Sequence, residues 1–180
     1  MVWLVCVALV DELPDKLPSG YQLVITGVGK INASIALSQA VHQYEDIQGV
    51  INYGTAGGFQ ESHKGQLLSI AGVLERDMDC IGLGLAPYVT FGEHQALIKT
   101  SNGQGVICGT GDSFGPASAD YDIVEMEAYA LAKVCQTHKL PFLCYKYISD
   151  ISTDHDAHEQ WQNNVARGGN AFLQLLPLAL

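Results

Sequence analysis

The 180-residue sequence is short of basic groups. Nine lysines and arginines stand against nineteen aspartates and glutamates, for a formal net charge of −10, and only Arg76 and Arg167 are arginines. A chain so poor in cations repels phosphate backbones and anionic headgroups, which argues against nucleic acid and membrane surfaces as partners. Charged residues of any kind make up only 16% of the chain against 48% apolar ones, so the composition is that of a globular protein and not a disordered one. No apolar run is long enough to cross a bilayer. The N-terminal "VWLVCVALV" stops at Asp11 and has neither a basic start nor a small-residue cleavage site, so it reads as a buried first strand. The five cysteines form no C-x-x-C pair. Cys6, Cys108, Cys135 and Cys144 lie inside apolar runs, as reduced core thiols do, and imply a cytoplasmic protein. There is no internal repeat, low-complexity tract or linker, so residues 1–180 are read as a single domain, long enough to bury about two-thirds of its unfolded surface.

What is present is an alternation. Short runs rich in Val, Ile and Leu fall at residues 2–10, 21–26, 49–53, 66–74, 105–108, 123–125 and 141–148; being mostly continuous, they suit strands covered on both faces. Helical patterns lie between them. Over residues 30–44, Ile31, Leu37, Ala40, Val41 and Tyr44 fall on one face; over 127–139, Ala130, Leu131, Val134 and Cys135 do the same. The segment 157–180 reads as a helix interrupted at Gly168–Gly169. The expected fold is α/β, with one mixed, mostly parallel central sheet flanked by helices. Ligands in such sheets bind beyond the carboxyl ends of strands, so the residues that end strands carry the functional reading.

Five strand ends stand out: Asp11 and Glu12; "TGVGK" (26–30); "NYGTAGGF" (52–59); "GTGDSFG" (109–115), with Phe114 among small residues; and "YISD", which places Ser149 and Asp150 at the end of its strand. A sixth feature, "VEMEA" (124–128), sets Glu125 and Glu127 where a buried strand hands over to a helix. "GVGK" fits neither the phosphate-loop spacing nor the dinucleotide fingerprint. Taken singly, Asp150 serves equally well as a helix cap and Phe114 as packing.

In this order, "ALVDE", "TGVGKINAS", "NYGTAGGF", "GDSF", "VEMEAYALAKVC" and "YISD" resemble the nucleoside phosphorylase/nucleosidase superfamily, and most of all its 5′-methylthioadenosine/S-adenosylhomocysteine nucleosidases. The similarity spans about residues 1–150; "VEMEA" followed by a helix and then "SD" is its specific part. The resemblance implies a purine nucleosidase acting on an adenine nucleoside, with no cofactor and no metal. Glu12 would activate the attacking water. Glu127 would bind the ribose 2′- and 3′-hydroxyls with Met126 against the sugar, and Glu125 would be supporting structure. Phe114 would stack on the purine. Asp150, supported by Ser149, would protonate or hydrogen-bond N7 of the leaving base, and Thr55, Ala56 and Gly57 would line the pocket. A homodimer is also implied, and the apolar "FLQLLPLAL" at 172–180 suggests a buried subunit face. The chain departs from these relatives in being shorter between Glu12 and Gly27, in lacking a helix over 79–109, in carrying Lys146 where an arginine is common, and in "RDMD" at 76–79.

The residue types suit the chemistry. Breaking an N-glycosidic bond develops positive charge on the sugar and negative charge on the base, which a carboxylate near the ring and a protonated acid at the base relieve. Asp150 must then hold a proton near neutral pH, which burial beside acids such as Glu127 favours. Three other readings compete. Phosphorolysis needs cations around a phosphate, but the position entering "GTAGG" is Asn52, and Lys30 is the lone cation of its turn. A nucleoside-binding protein without activity would not need Glu12, Glu127 and Asp150 together. A metal site would rest on "DHDAH" (154–158), where His155 and His158 are three apart, against the plainer role of Asp156 as a helix cap.

Overall fold

The computed structural model describes residues 1–13, 16–113, 115 and 117–176. In chain order the strands are β1 (Val2–Val7), β2 (Tyr21–Ile25), β3 (Ile47–Gly58), β4 (Leu67–Glu75), β5 (Ile98–Lys99), β6 (Val106–Thr110), β7 (Ile123–Glu125) and β8 (Phe142–Ile151). The helices are α1 (Lys30–Gln43), between β2 and β3, α2 (Ala128–His138), between β7 and β8, and then α3 (Ala157–Asn164) and α4 (Gly169–Leu175). All eight strands belong to one sheet in the order β2-β1-β3-β7-β6-β4-β5, with β8 bridging β3 and β4. The bridge closes a ring, β3-β7-β6-β4-β8, in which every strand has a hydrogen-bonded neighbour on both sides.

Two strand directions meet in this ring. β1, β2, β3 and β8 are mutually parallel, and β4, β6 and β7 run the opposite way. Gly57 and Gly58 of β3 pair with Val124 and Ile123 of β7, so β7 lies against the end of the long β3. The expected fold holds, but "NYGTAGGF" does not follow a strand: all of it except Phe59 lies within β3. The glycines read as a turn are instead places where extended backbone makes room for side chains from its neighbours. Asp150 likewise falls inside β8, one residue before its end.

Leu4, Leu37, Val50, Ile70, Ile123 and Leu131 meet in the main core between the sheet and α1 and α2. The second helix buries the face expected of it. On α1 the buried residues are Ala33, Leu37 and Ala40, while Ile31 is 72% exposed, against expectation. Close packing selects the small alanines for the inner face, and Ile31 turns outward. The C-terminal run also differs from expectation. Phe172 and Leu176 are fully buried, and Phe172 stacks on Tyr53 with ring centroids 4.4 Å apart. Phe172 and Leu176 thus pack on the chain's own sheet; residues 177–180 of the expected subunit face lie outside the described residues. Between β4 and β6 the described chain contains a 3-10 turn and β5 but no α-helix. The cysteines are free, and only Cys80 is not buried. No described helix is long and apolar enough to cross a membrane.

Candidate active site

β1 delivers the first carboxylate. Val5, Cys6 and Val7 are fully buried, and the chain then turns through a short 3-10 segment, Val10–Glu12. Glu12 is folded back under the strand end and only 3% exposed. Its Oε2 accepts the amides of Ala8 (2.9 Å) and Leu9 (3.1 Å), and its Oε1 accepts the amide (2.8 Å) and hydroxyl (3.0 Å) of Thr55. The carboxylate fits because residue 54 is glycine: a Cβ there would stand 3.1 Å from Glu12 Oε1 and 3.3 Å from Lys146 Nζ.

At "VEMEA" the two glutamates take opposite fates. Glu125 accepts the Thr110 hydroxyl (2.5 Å) and the amides of Glu127 and Ala128 (both 2.9 Å), and it forms an ion pair with Lys146 Nζ at 2.8 Å. Burial pushes against its charge, but Lys146 outweighs this and holds the carboxyl below its usual range. Lys146, 1% exposed, keeps its proton for the reciprocal reason: burial works against it, and Glu125 more than compensates. Lys146 is therefore the buried counter-ion of Glu125. Glu127 has no cation of its own. Its Oε1 accepts the amide of Gly29 at 2.8 Å, and burial, followed by the Glu125 charge, pushes its pKa up to about 8.

β8 supplies the third carboxylate. Asp150 is 2% exposed; the Ser149 hydroxyl donates to its Oδ1 at 2.6 Å, and its Oδ2 has no partner among the described residues. Burial raises its pKa; Asp154 adds to the rise, while Ser149 and Lys64 oppose it. The acid that helps is thus Asp154, not Glu127 as the sequence suggested. A Cβ on Gly57 would come within 2.9 Å of Asp150 Oδ2.

Glu12, Thr55, Ala56, Gly57, Met126, Glu127 and Asp150 line one cavity of about 240 Å³. Ser149 stands behind it and reaches it through Asp150. Phe114 lies outside the described residues. Sequence reasoning missed Val28, Ser152, His158 and Trp161, which line the same cavity. In the sequence His158 reads only as a candidate metal ligand, and Trp161 lies in a polar stretch where a tryptophan on a helix soon after "YISD" is the available signal. Asp156 stands at the start of α3 without making a side-chain cap; its Oδ1 accepts Gln160 Nε2 at 2.8 Å. No cluster of three or more potential metal ligands occurs among the described residues.

Comparison with known proteins bears on the fold and the family. The family model of the Phosphorylase superfamily matches residues 113–179. The 5′-methylthioadenosine/S-adenosylhomocysteine nucleosidase of Oceanobacillus iheyensis is 30% identical over 173 aligned residues, covering 82% of this chain and 74% of that one. Its counterpart from Anoxybacillus flavithermus is 29% identical over 185, covering 86% and 78%. Among solved structures, S-adenosylhomocysteine nucleosidase from Streptococcus pyogenes superposes with a TM-score of 0.82 at 22% identity, covering 98% of this chain and 94% of that one. Futalosine hydrolase of Helicobacter pylori gives 0.84 at 17%, covering 97% and 95%, so the fold itself is shared with a hydrolase of another name. With 30% identity to the Oceanobacillus protein over 82% of its own length, this chain belongs to the 5′-methylthioadenosine/S-adenosylhomocysteine nucleosidase family.

Proposed function

We propose that the protein hydrolyses the N-glycosidic bond of an adenine nucleoside such as 5′-methylthioadenosine or S-adenosylhomocysteine, releasing free base and free sugar. The observation that carries this reading is the convergence of Glu12, Glu127 and Asp150 on one cavity, each held by different partners. In this reading Glu12, its oxygens fixed by four donors, orients and deprotonates water. Glu127 and Met126 hold the ribose. Asp150, buried with one oxygen unpartnered, carries the proton to the base, and Phe114 provides the purine platform implied by the sequence resemblance. Thr55, Ala56 and Gly57 form the wall between them.

Hydrolysis is favoured over phosphorolysis by what occupies the turn before α1. The Gly29 amide donates to Glu127, and the Lys30 amide donates to Asp112 at 2.9 Å. The Lys30 ammonium is held by Glu75 at 2.7 Å and Asp77 at 2.6 Å. The amides and the cation that a phosphate dianion would need are already committed to the protein's own carboxylates. Product analysis by mass spectrometry, on methylthioadenosine, adenosylhomocysteine, adenosine and inosine with and without phosphate, tests this. Free sugar is expected at equal rates in both buffers; sugar 1-phosphate as the main product overturns the assignment.

We read the chain as one cytoplasmic domain acting as a homodimer. Support for the dimer comes from exposed apolar residues: Val28 (42%), which lines the cavity, Ile31 (72%) and Ile35 (53%) on α1, and Val10 (63%) in the 3-10 segment after β1. A fully active monomer by light scattering at micromolar concentration contradicts this.

A further inference from the structure

Trp161 is reached by no part of the mechanism above, yet it is wired into it. Its side chain comes from α3, the helix after the acid-bearing strand, and its Nε1 lies 3.0 Å from Thr55 Oγ1. The same hydroxyl oxygen lies 3.0 Å from Glu12 Oε1. An indole N–H only donates, so Thr55 Oγ1 must accept from Trp161. A carboxylate only accepts, so the Thr55 hydrogen is left pointing at Glu12. The direction of both bonds is fixed by chemistry and needs no observed hydrogens.

From this we infer that Trp161 is a positioning residue for the base: by occupying the acceptor side of the Thr55 hydroxyl, it holds Thr55 as a donor to Glu12 and sets the carboxylate against the cavity. The catalytic part of this inference rests on the nucleosidase reading. Three features support it. The donors from Ala8 and Leu9 hold only Oε2, so Oε1 depends on Thr55 alone among the described residues. Trp161 is half-buried and stacks with His158 at a centroid distance of 5.8 Å, which restrains the indole plane. Asn164, one turn further along α3, donates to the Ser149 carbonyl at 2.9 Å and anchors the helix to the strand that carries Asp150. One helix thus reaches both the base and the acid of the proposed reaction.

The experiment compares wild type with Trp161→Phe, Thr55→Val and the double variant. Trp161→Phe keeps a ring and removes only the N–H, so kcat should fall about tenfold with KM changed less than about twofold, as loss of one oriented hydrogen bond predicts. The two substitutions act on one relay, so the double variant should be no slower than Thr55→Val alone. Thr55→Ser, which keeps the hydroxyl, should restore both rate and sensitivity to Trp161→Phe. Independently of turnover, the indole N–H resonance of Trp161, one of two tryptophans in the chain, should shift upfield in Thr55→Val and move in Glu12→Gln. An unchanged kcat in Trp161→Phe, multiplicative losses in the double variant, or an indole resonance indifferent to both substitutions overturns the proposal. A wild-type protein that cleaves no nucleoside while the indole still responds overturns the nucleosidase reading and the catalytic role, and leaves only the hydrogen-bond relay.

Discussion

Asp150 and Glu127 both hold their protons more tightly than free carboxyls. Burial raises both, and a second carboxylate adds to each rise, Asp154 at Asp150 and Glu125 at Glu127, while Ser149 and Lys64 oppose it at Asp150. If Asp150 is the acid we propose, Asp150→Asn keeps the size and removes its proton, so kcat should drop by about 10²–10⁴ with little change in KM, measured by steady-state release of base. Glu127 behaves differently with pH. Its folded value of about 8 lies above the ordinary carboxyl value of 4.5. Below 4.5 both folded and unfolded chains hold the proton, and the contribution of Glu127 to stability is fully present. Between there and about 8 only the unfolded chain ionises, so that contribution is lost as pH rises. Urea unfolding across this window should show wild type losing stability relative to Glu127→Gln; parallel curves would refute it. The carboxylates were legible in the sequence because the motif fixes their identity. The charged groups that tune them were not, since Lys146 and Asp154 approach only in the fold.

The strands and helices were readable wherever apolar runs were continuous, as with β7, whose bounds match. β3 is longer than its apolar run because Gly54, Gly57 and Gly58, which look like a turn, are part of the strand. Nothing in their own sequence shows that Glu12, Lys146, Asp150 and Ile148 fill the space where their side chains would be. That space is the reason for the glycines, and it yields a prediction. Gly57→Ala would place a methyl 2.9 Å from both Asp150 Oδ2 and Ser152 Cβ. Overpacking of this kind costs about 1–3 kcal/mol. Because it presses on Asp150, the proposed acid, kcat should fall more than tenfold while the thermal midpoint drops by only a few degrees. α3 illustrates the opposite failure: a short polar helix gives no inward pattern, so its contribution to the site was invisible until its packing on β8 was seen.

For the molecule as a whole, the buried Lys146–Glu125 pair joins β8 to β7 through side chains. Lys146→Met would strand a carboxylate that is 1% exposed, and removing one partner of such a pair costs about 3–5 kcal/mol. The urea midpoint should fall accordingly; a variant as stable as wild type would show that Glu125 simply takes up a proton at no cost.

The closed ring of β3, β7, β6, β4 and β8 has a consequence for how this protein can change over evolutionary time. Strands paired on both sides cannot peel away singly, so the frame that bears Glu125 and Asp150 opens only when the ring as a whole opens. β2 lies at the edge of the sheet, and α3 is a short helix outside the ring. Amide exchange should therefore be slowest in β3 and β8 and fastest in α3. A wall that loosens independently of its frame can be rewritten at cavity-lining positions such as His158, to which the proposed reaction assigns no step, to admit a different nucleoside while the chemistry beneath is inherited intact.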